Sequence, residues 1–104
     1  MYTELTEDNL DTVLKNSKQV MIQYGAPWCG NCRITKPKFK ALAEENPEVT
    51  FIYVDAEKFP GSRQFAEVSN LPTFAGFKNG VLMNQRQGNK PEIIKEVLDA
   101  VAGN

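Results

Sequence analysis

A chain of 104 residues that is 41% hydrophobic, 10% aromatic and 24% charged has the size and composition of one soluble globular domain, 1–104, with no room for a second core. Twelve basic against thirteen acidic residues leave a formal charge of −1, which excludes the basic excess of a nucleic-acid binder. The longest uncharged apolar run, Val20 to Cys29, is broken by Gln23, Gly25 and Pro27, far short of the roughly 20 residues of a membrane-spanning helix.

Tyr2 and Leu5 make a short apolar start, read as a first strand. Leu10, Val13 and Leu14 then recur at helical spacing, with Thr6 as the expected N-cap and Glu7 and Asp8 bringing negative charge to the first turn. Val20–Tyr24 is a mostly apolar run suited to a buried strand that stops at Gly25. From Cys29 or Gly30 to Glu45 helix formers dominate, with Ile34, Phe39, Leu42 and Ala43 offered to the core and Pro37 expected to kink the helix. Val49–Val54, β-branched and aromatic, is a further buried strand followed by Asp55. Ser62–Val68 reads as a short helix. Thr73–Phe77 and Val81–Gln85 flank Lys78-Asn79-Gly80, whose Asn-Gly pair supplies the positive φ angles of a tight antiparallel hairpin. Ile94, Val97, Leu98 and Val101 mark one face of a closing helix that starts near Pro91. This order predicts an α/β fold, a central mixed sheet covered by helices on both faces.

Chemistry concentrates at Trp28-Cys29-Gly30-Asn31-Cys32. These are the only two cysteines, and histidine is absent. One pair cannot build the disulfide framework of a small secreted scaffold. Nor can two thiols close a structural zinc site within one chain, which leaves only a metal shared between two chains. Histidine-dependent triads and acid–base chemistry also drop out. The start Met1-Tyr2-Thr3-Glu4 lacks the basic and apolar stretches of a secretory signal, so the expected compartment of an unprocessed chain is the reducing cytoplasm.

The cysteine pair lies where an apolar strand hands over to a helix. A turn there can bring the two sulfurs together, and the free amides and dipole at the helix N-terminus favour a thiolate on the first. Cys29 is therefore the expected exposed nucleophile. Cys32, one turn into the helix, is the expected more buried resolving thiol, which attacks the mixed disulfide and releases the reduced partner. The alternative is two core cysteines packed as small hydrophobes, against which stand Pro27, Gly30 and Asn31 at a loop edge.

Ala26-Pro27-Trp28-Cys29-Gly30-Asn31-Cys32, with Pro37 further along the helix, resembles the thioredoxin family. Asp55, Leu71-Pro72-Thr73, Phe77-Lys78-Asn79-Gly80 and Gly88 follow in that family's order, so the likeness spans almost the whole chain. It implies a thiol–disulfide oxidoreductase that reduces protein disulfides and works as a monomer. No bound cofactor or metal is implied beyond the redox-active disulfide Cys29–Cys32. The implied partners are disulfide-containing proteins and a thioredoxin-reductase-like electron donor, through which NADPH acts only indirectly. The resemblance also implies a cis Leu71–Pro72 bond facing the redox pair, which leaves the backbone of Leu71 free to pair with a substrate strand. Trp28, Pro72 and Gly88 would border that docking surface. Two placements stay open for Trp28, rim or core, and Gly88 is equally suited to a turn opening the last helix.

Two positions depart from the family. Asn31 stands where proline is usual and restores a backbone donor and a side-chain amide near Cys29, which predicts a lower thiol pKa and a less negative potential than in Asn31→Pro. Gly30 completes that turn. Gln23 replaces a buried Asp, and Phe51 replaces the Lys that accompanies it, a coherent double loss that avoids a lone buried charge. Gln cannot take a proton, so resolution by Cys32 is expected to be slower, unless Gln23 simply faces solvent. Arg33, Lys36 and Lys40 share a helix face, either steering acidic partners or merely solvated. Two other readings remain: a non-catalytic binding module on the same fold, or a more oxidising disulfide oxidase or isomerase.

Overall fold

Alternate residues of the strand Gln19–Gly25 (β2) bury themselves on opposite faces of one sheet, and the two cores follow from that alternation. The computed structural model describes residues 1–102; Gly103 and Asn104, the last two of the expected 1–104 domain, lie outside the described residues. The other elements are β1 (Tyr2–Glu4), α1 (Leu10–Asn16), α2 (Gly30–Glu45), β3 (Thr50–Asp55), a 3-10 helix (Pro60–Phe65), β4 (Thr73–Lys78), β5 (Val81–Gln87) and α3 (Pro91–Ala102). The sheet runs β1-β3-β2-β4-β5, with β1, β3 and β2 parallel, β4 antiparallel to β2 and β5 antiparallel to β4. At the hairpin Asn79 and Gly80 take φ of 54° and 80°, the turn the Asn-Gly pair predicts.

Val20, Ile22 and Tyr24 join Ile52, Val54, Ala75 and Phe77 beneath α1 and the 3-10 helix. Met21 joins Phe51, Phe74 and Phe39 beneath α2 and α3. Glycine at 76 lets α3 come close, because a Cβ there would lie 3.0 Å from Val97 Cγ1. The expected face of α3 is buried as read.

Three local expectations fail. Thr6 does not cap α1, which begins at Leu10 after Asn9 with no side-chain cap bond. Asp8 is drawn instead to the 3-10 helix, where its Oδ2 accepts the Gly61 N–H at 2.9 Å. The segment expected as a helix over 62–68 is that 3-10 turn, starting earlier at Pro60 and ending at Phe65, with Ala66 extended beyond it. Ile34 is 58% exposed, because the inward row of α2 is Cys32, Thr35, Phe39 and Ala43 and Ile34 lies about 100° round the helix from Thr35.

Candidate active site

β2 ends at Gly25, the loop Ala26-Pro27-Trp28 crosses the sheet end, and α2 starts at once. Cys29 is the N-cap of α2, in extended backbone, and its Sγ accepts the Cys32 N–H at 3.2 Å. An amide aimed at that sulfur is the arrangement that favours a thiolate there. Cys29 N–H donates to Ala26 O at 3.1 Å, which holds the loop closed. The two sulfurs are joined in a disulfide, with Cα atoms 5.3 Å apart. Cys32 is fully buried, as expected, but Cys29 is far less open than expected, at 5%. Both cluster with Ala26, and the partly buried Leu71 packs against that cluster. Trp28 takes the open position instead, 65% exposed, which removes the core placement. Gly30 is exposed and a Cβ there would touch nothing within 4 Å, so packing does not require glycine.

Two distant loops meet this turn. Leu71–Pro72 is cis, immediately before β4. Gly88, at φ 126°, donates its N–H to Pro72 O at 3.1 Å, tying the two loops. Among the described residues neither backbone group of Leu71 makes a hydrogen bond. Asn31 is exposed, and its Oδ1 accepts from Asn89 Nδ2 at 3.2 Å. Asn89 was missed in the sequence because nothing local marks a partner 58 residues away.

A paired CxxC at a helix N-terminus beneath a cis-proline loop can exchange disulfides with another protein. The thioredoxin family model matches residues 1–100. The chain belongs to the thioredoxin family. Thioredoxin of Ophiophagus hannah is 30% identical over 95 residues, covering 91% of this chain and 90% of its own length. Thioredoxin-1 of Saccharomyces cerevisiae is 31% identical over 97 residues, covering 93% and 94%. Among solved structures, thioredoxin f from spinach chloroplast superposes with a TM-score of 0.88 at 26% identity, covering 98% of this chain and 94% of the other. This thioredoxin-family chain is a dithiol–disulfide oxidoreductase, with the Cys29–Cys32 disulfide as its redox group. Among the described residues no group of His, Cys, Asp and Glu is suited to a metal ion, and no helix is long and apolar enough to cross a membrane.

Beneath the disulfide, Gln23 is completely buried, which removes the solvent-facing alternative. Its Nε2 donates to Cys32 O at 3.2 Å and to Thr35 Oγ1 at 3.0 Å. Thr35 is a second residue missed in the sequence, although three residues after Cys32 on a helix it shares that inward face. Phe51 sits in the apolar cluster with Phe39, ring centroids 5.0 Å apart.

The basic face of α2 is partly engaged within the chain. Arg33 donates to Pro27 O at 3.4 Å, Lys36 pairs with Glu4 at 2.8 Å and lies over the Tyr53 ring, and Lys40 lies over Tyr2. The Lys36 ammonium holds the Glu4 carboxyl below the usual range.

Proposed function

We propose that the chain is a cytoplasmic, monomeric protein-disulfide reductase in which Cys29 is the nucleophile and Cys32 the resolving thiol. The Cys32 N–H on Cys29 Sγ at the tip of α2 is the observation that carries the reading. The Cys29 thiolate attacks a disulfide of the partner, one partner sulfur leaves as a thiolate, and a mixed disulfide forms. Cys32 then loses its proton and attacks Cys29 Sγ, releasing the second partner sulfur. Two electrons have passed to the partner and the protein is left as the disulfide. A thioredoxin-reductase-like donor restores the dithiol with electrons from NADPH, so no cofactor or metal binds this chain.

The substrate strand lies across Leu71, whose unpaired backbone supports strand addition. Pro72 and Gly88 fix the loop on one side, and the exposed Trp28 indole provides an apolar contact on the other. Asn31, Gly30 and Gln23 tune the pair. With an amide instead of a carboxylate at position 23, Cys32 gives its proton to water or to the departing thiolate, and resolution is slower than in relatives that carry the acid.

The test is turnover of an insulin disulfide with NADPH and a thioredoxin reductase. Steady turnover that falls to background in Cys29→Ser is the expected result. Binding to partners that survives Cys29→Ser, without turnover, would instead show a binding module. A second reading, a disulfide oxidase or isomerase, is favoured by Asn31 in place of proline. It predicts a potential nearer about −120 to −180 mV than the thioredoxin reference of about −270 mV.

A further inference from the structure

The inference rests on the reading of Cys29 and Cys32 as a pair that cycles between disulfide and dithiol. Gln23 is a fully buried amide whose two hydrogens are both used, on Cys32 O and on Thr35 Oγ1. Thr35 Oγ1 in turn has two carbonyl acceptors in reach, Asn31 O at 2.9 Å and Cys32 O at 3.3 Å, so its one hydrogen is used on this side of the network. Rotating the amide by half a turn would set Oε1 against the Cys32 carbonyl, acceptor to acceptor, so its orientation is determined. Oε1 is left with no protein hydrogen-bond partner among the described residues. A fully buried acceptor without a partner is costly and rare in a native core.

We propose that Gln23 Oε1 is a positioning acceptor for the thiol proton of Cys32, engaged only when the pair is reduced. Reduction supplies the missing donor. A dithiol donor delivers two electrons, the Cys29–Cys32 S–S bond breaks, and the donor closes to its own disulfide. Of the two protons released, one stays on Cys32 Sγ and the other goes to Cys29, or to solvent where Cys29 remains a thiolate. The Cys32 S–H is a donor that the oxidised protein lacks, and the amide that receives it is already tied to Cys32 through its carbonyl. The oxidised state therefore carries an orphaned acceptor that the reduced state satisfies. Gln23 favours the dithiol and holds Cys32 protonated until the mixed disulfide forms. A carboxylate in its place would take the proton; the amide only orients it.

The chain and its Gln23→Leu variant are to be equilibrated with glutathione redox buffers. Leucine removes the acceptor, and the expected result is a shift of about tenfold in the equilibrium constant toward the disulfide, about 30 mV more negative. Loss of the two amide donors weakens both redox states and cancels in that ratio. Equal constants overturn the proposal, as they would if an internal water satisfied Oε1 in both states. Should Gln23→Leu not fold, the infrared S–H stretch of Cys29→Ser, which keeps only the Cys32 thiol, decides the matter. A band lowered from the free-thiol position supports the acceptor, and an unshifted band overturns it. Failure of the unsubstituted chain to exchange with glutathione at all would overturn the redox reading instead, while the infrared band still reports on the acceptor.

Discussion

Gln23 and Tyr24 are neighbours on β2, both completely buried, and they point to opposite faces of the sheet. Tyr24 lies in the core under α1 and the 3-10 helix, and its hydroxyl donates to Ser62 O at 2.9 Å. Its one polar hydrogen is satisfied, so the ring contributes area and the hydroxyl fixes the 3-10 turn. Gln23 lies beneath the disulfide with its donors satisfied and its acceptor open. A buried polar group is tolerable when every atom has a partner, and an exception marks a place where a partner comes and goes. The face that only has to hold together is closed. The face that changes its chemistry keeps one atom in reserve.

The largest test of this contrast restores, in two steps, the pair of residues that the family carries. Phe51 is fully buried against Phe39 and Phe74 in the core beneath α2 and α3, two places along β3 from Tyr53, the partner of Gln23. Phe51→Lys alone removes that ring and leaves an unpaired charge, and it should cost about 3–5 kcal/mol in urea unfolding. Adding Gln23→Asp should recover about 0.5–3 kcal/mol relative to the sum of the single changes. Gln23→Asp alone should speed release of the reduced partner from the mixed disulfide. Strict additivity would show that the two positions do not act as a unit, and an unchanged release rate would show that another group takes the Cys32 proton.

The Tyr24 side of the contrast is read by alkaline titration. Burial holds the Tyr24 phenol above its ordinary value of 10.0. In the unfolded chain the phenol ionises near 10, while in the folded chain it stays neutral to higher pH. Its contribution to stability is therefore complete below pH 10 and is lost as pH rises from there through the folded value, by about 1.4 kcal/mol per pH unit at most. Tyr24→Phe should lose about 1 kcal/mol at pH 7, where a hydrogen bond is removed, and should show a shallower decline above pH 10. Tyr53, whose phenol burial also raises, supplies part of the remaining slope. Urea midpoints between pH 7 and 11 check this. An alkaline limb as steep as that of the unsubstituted chain would place the titration elsewhere.

What was legible in the sequence follows the same division. Val20 to Tyr24 could be read because it is a short, mostly apolar run bounded by Gly25 and Pro27, and α3 because Ile94 to Val101 keeps its apolar residues at helical spacing. The start of α1 could not, because Thr6 is as good a cap as any until Asp8 is seen bonded to Gly61, a contact across 53 residues. Ile34 was misplaced because α2 has more apolar residues than its inward face can bury, and only the sheet decides which row faces in. At the site, the cysteine pair announces itself by residue type, whereas the cis form of Leu71–Pro72 followed only from the family resemblance, since an X-Pro bond read alone is expected to be trans. Thr35 and Asn89 do not announce themselves, since an ordinary threonine or asparagine acquires its role only from what the fold sets beside it.

The smallest expected effect acts on the same disulfide from outside. Asn31 was expected to bring an amide to Cys29, but the N–H that reaches Cys29 Sγ is that of Cys32, and the Asn31 side chain is turned to Asn89 through its Oδ1. Asn31→Pro therefore keeps the one amide bonded to Cys29 Sγ and removes a neighbouring free backbone donor and the exposed side-chain bond to Asn89. The potential should move to more negative values, by less than about 20 mV, because an exposed donor competes with water and is worth below about 1 kcal/mol. Gln23→Leu, which acts from the buried side, should shift it further. If the two act separately on the oxidised and reduced pair, the shifts should add in the double variant, as glutathione titration of all four proteins would show. A shift in Asn31→Pro larger than that in Gln23→Leu would reverse the contrast, placing control of the disulfide at its solvent side rather than in the core beneath it.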